Sequence, residues 1–148
     1  MSERVQQELE ALAERYDNAT VIGEVTTILP ITVEMLDSVL IGAFDGGYGA
    51  SYYWAEVEEI RVNGEHWTEV LLRQSDEFDE EIERKVYLIN AENIIPAIQR
   101  FLTDDPPANK QIAGYIRQAV QENDPGMIDA DAADCIVQIA AFGQLVYG

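Results

Sequence analysis

Near the start of the chain an apolar residue recurs every three or four positions, at Val5, Leu9, Leu12 and Tyr16, with Glu and Arg between them. That spacing predicts an amphipathic helix from Ser2 to Tyr16, ended at Asn18. Thr20 to Leu29 is rich in β-branched residues and reads as a strand or an extended linker, cut off by Pro30. Residues 1–29 are therefore expected to be a semi-detached arm on a single domain. Thr32 suits an N-cap, Glu34 suits the first helical turn, and Met35, Leu36, Val39, Leu40 and Phe44 supply the stripe of a second helix. Asp45-Gly46-Gly47 stops it, and Tyr48 to Ser51 comes next as a loop.

From Tyr52 the period changes to two. Tyr53, Ala55 and Val57 alternate with Trp54, Glu56 and Glu58, which predicts a strand with an acidic side. Asn63-Gly64 is a hairpin signal leading into a second strand from His66 to Gln74. Ser75 to Glu81 is a longer acidic connection, and Ile82 to Ile89 reads as a third strand. Helices then return. Asn90 caps one carrying Ile94, Ile95, Ile98, Phe101 and Leu102, ended by Asp104-Asp105-Pro106-Pro107. Pro106 or Pro107 opens another, carrying Ile112, Tyr115, Ile116 and Val120. After a turn at Asn123-Asp124-Pro125-Gly126, Asp129 caps a last helix striped by Ala132, Cys135, Ile136, Ile139, Gly143 and Val146. The expected fold is α+β: a small antiparallel sheet of about three strands packed against four to five helices over residues 1–148.

Composition narrows the function classes. With 47% apolar residues in 148, the chain can bury a core without staples. One cysteine excludes a disulfide framework, and one histidine argues against a Cys/His zinc site. A signal peptide is not expected, nor is a membrane span. The outlier is charge: 28 acidic against 9 basic side chains gives −19. Such a chain is repelled by nucleic acid and by anionic membranes, so neither is an expected direct partner, and a cytoplasmic location is expected. Three explanations fit: solubility, adaptation to high salt (only Lys85 and Lys110 stand beside seven arginines), or mimicry of a phosphate array. Between Glu56 and Glu83 eleven acids face only Arg61 and Arg73, a net −9 in 28 residues. High-salt adaptation predicts an even spread, so this clustering favours a directed surface.

No catalytic, metal or cofactor site is expected. Asp129, Asp131 and Asp134 fail as a calcium loop, because glycine is missing at position six and glutamate at position twelve. Asp129 as N-cap and Asp131 in the first turn account for two of the three through the helix dipole. Gly46-Gly47-Tyr48-Gly49 comes after a helix instead of a strand, and no Gly-Lys-Ser/Thr succeeds it. Cys135 lies in an apolar stripe and His66 just after a turn, which disfavours a nucleophile–base pair. Acids are so numerous that no single carboxylate pair stands out for glycoside chemistry. Tyr48, Tyr52, Tyr53, Trp54 and Trp67 either cover the sheet or form a protein-binding patch.

Ala43-Phe44-Asp45-Gly46-Gly47 with Tyr53-Trp54-Ala55 resembles a segment of small acidic phage and prophage proteins. The stretch from Asp129 to Asp134, through Ile136, Gln138, Ala140 and Phe142-Gly143 to Val146-Tyr147-Gly148, is similar to the ending of the same group. Residues 48–52 depart from the pattern as an insertion, and Gln144 stands where glutamate is usual. A weaker likeness, in the Gly-Gly…Tyr-Trp segment, is to antirestriction proteins. The resemblance implies a mobile-element origin and no catalytic mechanism. Joined to the charge, it leads to an expected inhibitor of a host CRISPR effector or restriction enzyme, working by acidic DNA mimicry in a basic nucleic-acid-binding groove. The expected contact residues are Glu56, Glu58, Glu59, Glu69, Asp76, Glu77, Asp79, Glu80 and Glu81, anchored by Tyr53, Trp54 and Trp67 where exposed. The alternative is a phage accessory or assembly protein whose acidity serves solubility. A second copy of the chain is a further candidate partner.

Overall fold

The computed structural model describes residues 2–15, 19, 21–46, 49–75 and 84–148. Among them the order is α1 (Glu3–Arg15), α2 (Val33–Phe44), β1 (Ala55–Asn63), β2 (His66–Gln74), β3 (Val86–Ile89), α3 (Ala91–Phe101), α4 (Lys110–Glu122) and α5 (Ala130–Phe142). The three strands form one antiparallel sheet, β1-β2-β3. The fold is α+β. Helices α2, α3 and α5 cover one face of the sheet, and α4 packs behind them on α3 and α5. Among the described residues no helix is long and apolar enough to cross a membrane.

Period-two alternation decides which sheet face is covered. Val70 and Leu72 of β2, with Ile89 of β3, point inward and are fully buried. Glu69, Leu71 and Arg73 point outward. The helices start where capping chemistry places them. Thr32 accepts from the Met35 amide at 3.2 Å, Asn109 from Ile112 at 2.9 Å and Asp129 from Ala132 at 2.8 Å. Asn90 and Asn93 form a reciprocal capping box at the head of α3. Gly143, in the left-handed region, closes α5.

Several boundaries differ from the sequence reading. β1 begins at Ala55, because residues 51–54 form a turn, which takes Tyr53 and Trp54 out of the strand. The hairpin loop is Gly64-Glu65, with Asn63 paired to His66. Gly64 has φ +65°, and Asn123 is the only described non-glycine residue with positive φ, so the loop has the II′ pattern and not Asn-Gly at its centre. β3 is confined to Val86–Ile89, while the expected connection from Asp76 to Glu81 lies outside the described residues. The prolines at 106 and 107 do not open α4: Asn109 offers a side-chain acceptor that they lack. α5 ends at Phe142, so Gly143 and Val146 drop out of its stripe. Residues 21–29 take no regular secondary structure, so the strand reading of that segment is not met among the described residues, and Thr20 lies outside them.

One tight passage fixes the position of residues 50–54. After α2 the chain folds back on the helix end, and the amides of Ala50 and Ser51 bond the carbonyls of Gly42 and Ala43 at 3.0 and 2.9 Å. Two last-turn carbonyls that would lack partners are thus satisfied. The fold-back needs a residue without Cβ at position 49, where a Cβ would lie 2.4 Å from the Ala43 oxygen and 2.7 Å from the Phe44 Cα. Both are backbone atoms, which cannot rotate away. Gly49→Ala is expected to cost about 2–3 kcal/mol, lowering Tm by about 5–10 °C. Gly23→Ala, with nothing within 4 Å, is its control and should shift Tm by less than about 2 °C. Equal thermal melts for the two variants would contradict the fold-back.

Candidate functional site

The fold-back delivers Ser51, Tyr53 and Trp54 to one side chain of α5. The Ser51 hydroxyl and the Trp54 indole N–H each donate to Oδ1 of Asp134 at 2.7 Å. The Tyr53 hydroxyl donates to Oδ2 at 2.7 Å, and the Gln138 amide donates to the same oxygen at 3.0 Å. Asp134 and Gln138 are one helical turn apart, so both face inward. The Gln138 carbonyl in turn accepts from the amides of Val146 and Tyr147 at 3.0 and 2.9 Å. Tyr147 accepts at its hydroxyl from Gln74 of β2, 2.7 Å away. Its ring stacks on Trp54, with centroids 5.8 Å apart, and Phe142 packs against both.

A carboxylate has about four lone-pair positions, and Asp134 fills them with four neutral donors. No position is left for a metal ion or for abstracting a substrate proton. The arrangement ties the turn at 51–54, α5, the C-terminal residues and β2 into one network. Burial and the hydrogen bond to Asp134 hold the Tyr53 phenol protonated far above its ordinary range. Burial, then the carboxylates of Asp134, Asp131 and Asp129, push the Cys135 thiol up to about 11. A thiol that stays protonated at neutral pH is a poor nucleophile. His66 lies 3.3 Å from Asp37, whose other oxygen accepts from the Trp67 amide at 2.7 Å. Among the described residues no three His, Cys, Asp or Glu side chains gather as a metal site requires.

The outward sheet face does bring together Glu56, Glu58, Glu59 and Glu69, but with arginines among them. Arg73 reaches Glu58 at 2.8 Å, and Arg61 reaches Glu59 at 3.3 Å and Glu69 at 3.1 Å. Glu69 also accepts from Asn90 at 3.0 Å. Glu56 stands opposite Arg73 in the strand register. The expected acidic face is thus a lattice of exposed ion pairs around Leu71 and Leu88. Cross-strand register and a register shift at Glu58 put each arginine within reach of its acids. Asp76, Glu77, Asp79, Glu80 and Glu81 lie outside the described residues. Of the expected anchors, only Tyr53 keeps an open surface, at 46% exposure. Trp54 is fully buried and belongs to the core, and Trp67 is half-buried against it. The strand alternation that would turn Trp54 outward is interrupted by the turn at 51–54.

Asp134 and Gln138 escape the sequence reading as a pair, although a signal is present. Beyond its first turn α5 carries no charged or amide side chain except these two, set four residues apart. A polar pair at that spacing in an apolar helix must meet polar partners inside. No protein-family model, curated protein or solved structure matches the chain.

Asp134→Asn puts an N–H₂ where donors now point, leaving at least one or two of them unsatisfied. The expected loss is about 2–5 kcal/mol, read as a lower urea midpoint, whereas exposed Asp131→Asn should lose less than about 1 kcal/mol. Comparable losses at the two positions would dissolve the network's claimed role. Tyr53 adds a pH signature. Its folded pKa lies above the unfolded value of 10.0, so its contribution is complete below that pH and is lost as pH rises past it, where only the unfolded phenol ionises. Tyr53→Phe should flatten the fall of the urea midpoint above about pH 10, where the wild type loses this contribution. Parallel slopes for wild type and variant would mean that this phenol titrates normally.

Proposed function

We propose that this chain is a non-enzymatic inhibitor of mobile-element origin, acting in the cytoplasm of a host cell. It occupies the basic nucleic-acid-binding groove of a defence enzyme, a CRISPR effector or a restriction enzyme, through acidic mimicry. The observation that carries the reading is the net charge of −19, because a field of that size acts on a basic partner before any contact forms. Its distribution adds support. From residue 118 to the C-terminal glycine there is no lysine or arginine, and Glu122, Asp124, Asp129 and Asp131 are all exposed. The saturated Asp134 leaves the most elaborate polar cluster to structure and not to catalysis.

The ion pairs on the sheet refine where contact would be made. Glu58, Glu59 and Glu69 already hold arginine partners, which a basic groove would have to displace. Glu56 and Glu65 make no ion pair among the described residues and offer their charge at once. A second reading, an accessory or assembly protein, is favoured by one observation: the apolar residues of segment 21–28 are exposed.

The test is inhibition of DNA cleavage by purified defence nucleases, titrated at about 50 and 200 mM salt. Mimicry predicts binding weakened tenfold or more at the higher salt, on the order of what displacing several phosphate contacts shows. The double variant Glu56→Lys/Glu65→Lys should weaken it by about tenfold again at low salt. Inhibition indifferent to both would end the mimicry reading even if inhibition were real.

A further inference from the structure

Helix α1 carries its own short-range supports. Ser2 caps it, accepting from the Val5 amide at 3.3 Å, Glu3 stands in the first turn, and Arg4 reaches Glu8 one turn on at 3.6 Å. Thirteen residues with these aids are still a marginal helix in water, because helices in proteins are held chiefly by packing an apolar face. In the protomer the described part of that face is open: residues 2–10 are all exposed, Val5 at 44% and Leu9 at 51%.

The residue pattern of α1 says what covers it. In the sequence Val5, Leu9 and Leu12 stand four and three residues apart, and the same spacing runs on to Tyr16. Alternate steps of four and three are the repeat of about 3.5 residues that a coiled coil uses. The positions flanking that line hold Gln6, Glu8, Ala13 and Arg15. A line this narrow is the seam between two paired helices, not the broad face by which a helix lies on a globular body. An anionic lipid surface, another common seat of an amphipathic helix, is disfavoured by four glutamates against two arginines.

We propose that two copies of this chain associate through an antiparallel pair of α1 helices. Direction and register follow from the same positions. Antiparallel pairing about the point between Glu10 and Ala11 sets Leu9 opposite position 12 of the other copy, a leucine, and the two-fold axis repeats that layer. The same register sets Glu8 opposite position 15, an arginine, once on each side. Parallel pairing sets Glu8 beside position 13, an alanine, and forms neither ion pair. The antiparallel choice also lays opposite helix-dipole ends side by side. It leads the two chains away from opposite ends of a helix pair about 20 Å long, which separates two acidic bodies that repel one another. The seam of two such helices buries on the order of 500–900 Å², the size of a weak, reversible association. This inference is independent of the inhibitor reading.

Sedimentation equilibrium of the full-length chain, from about 10 µM to about 1 mM, should show a monomer–dimer equilibrium with a Kd on the order of 100 µM. Leu9→Glu should weaken it by about a hundredfold or more, while Tm stays within about 2 °C because Leu9 is exposed in the protomer. Glu8→Arg and Arg15→Glu each set like charges opposite one another and should each weaken the dimer by about threefold to tenfold. An equimolar mixture of those two variants restores both ion pairs and should associate as the wild type does. A wild type that stays monomeric at about 1 mM overturns the proposal, as does a dimer that survives Leu9→Glu. A dimer lost in Leu9→Glu whose charge variants associate as well alone as mixed overturns the antiparallel pairing.

Discussion

The tertiary structure hangs on one carboxylate. Asp134 is buried in an apolar helix, and a buried charge is tolerable only when its hydrogen bonds are replaced in full. Here they come from a serine, a tyrosine, a tryptophan and a glutamine drawn from two distant parts of the chain. None is cationic, so the charge is stabilised by four dipoles aimed at it and not by a salt bridge. This makes the fold-back after α2 obligatory in a way that apolar packing alone would not. A misplaced leucine costs some contact area, whereas a misplaced donor leaves a carboxylate unsolvated. Trp54 fits this scheme because it serves twice: its indole N–H satisfies Asp134 while its ring fills the space between Phe142 and Tyr147.

The same contrast between internal pairing and open charge runs across the surface. On the sheet, Arg61 and Arg73 hold three of the four expected glutamates, and exposed pairs of this kind contribute little to stability. Their effect is on the local field, since each pair removes a charge from what a distant partner feels. With most of its bases committed to local partners, including Arg100 to the Gly143 carbonyl and Arg117 to the Thr103 carbonyl, the chain presents its excess acid elsewhere. Net charge, a property of composition, therefore predicts the sign of the molecule but not the face that displays it.

Local rules are legible in the sequence, and long-range ones are not. Thr32, Asn90 and Asp129 are readable as caps because an N-cap bond spans three residues. The hairpin is readable from Asn63-Gly64, although pairing of Asn63 with His66 moves the loop by one residue. Trp54 misleads because alternation from Tyr52 looks the same whether residues 52–54 are strand or turn, and only the contact with Asp134, 80 positions away, separates the two. Asn109 is overshadowed by two prolines in the sequence, yet the side-chain acceptor, not the fixed proline φ, decides where α4 starts. Nor can the ion pairs be read, since they depend on cross-strand register and on the irregularity at Glu58.

Two stretches far apart in the sequence take on a physical meaning in this light. Tyr53-Trp54 on one side, and Asp134, Gln138 and Val146-Tyr147 on the other, are far apart in the chain yet adjacent around one carboxylate. Each residue is tied to the others by a hydrogen bond whose loss strands a buried polar group. Such a set tolerates change only at several positions together, whereas an exposed acid can be exchanged singly at little cost to the fold. These positions thus specify a way of closing the fold. The exposed charge is carried by other residues, such as Glu56, Glu65, Glu122 and Asp124, which take no part in that closure.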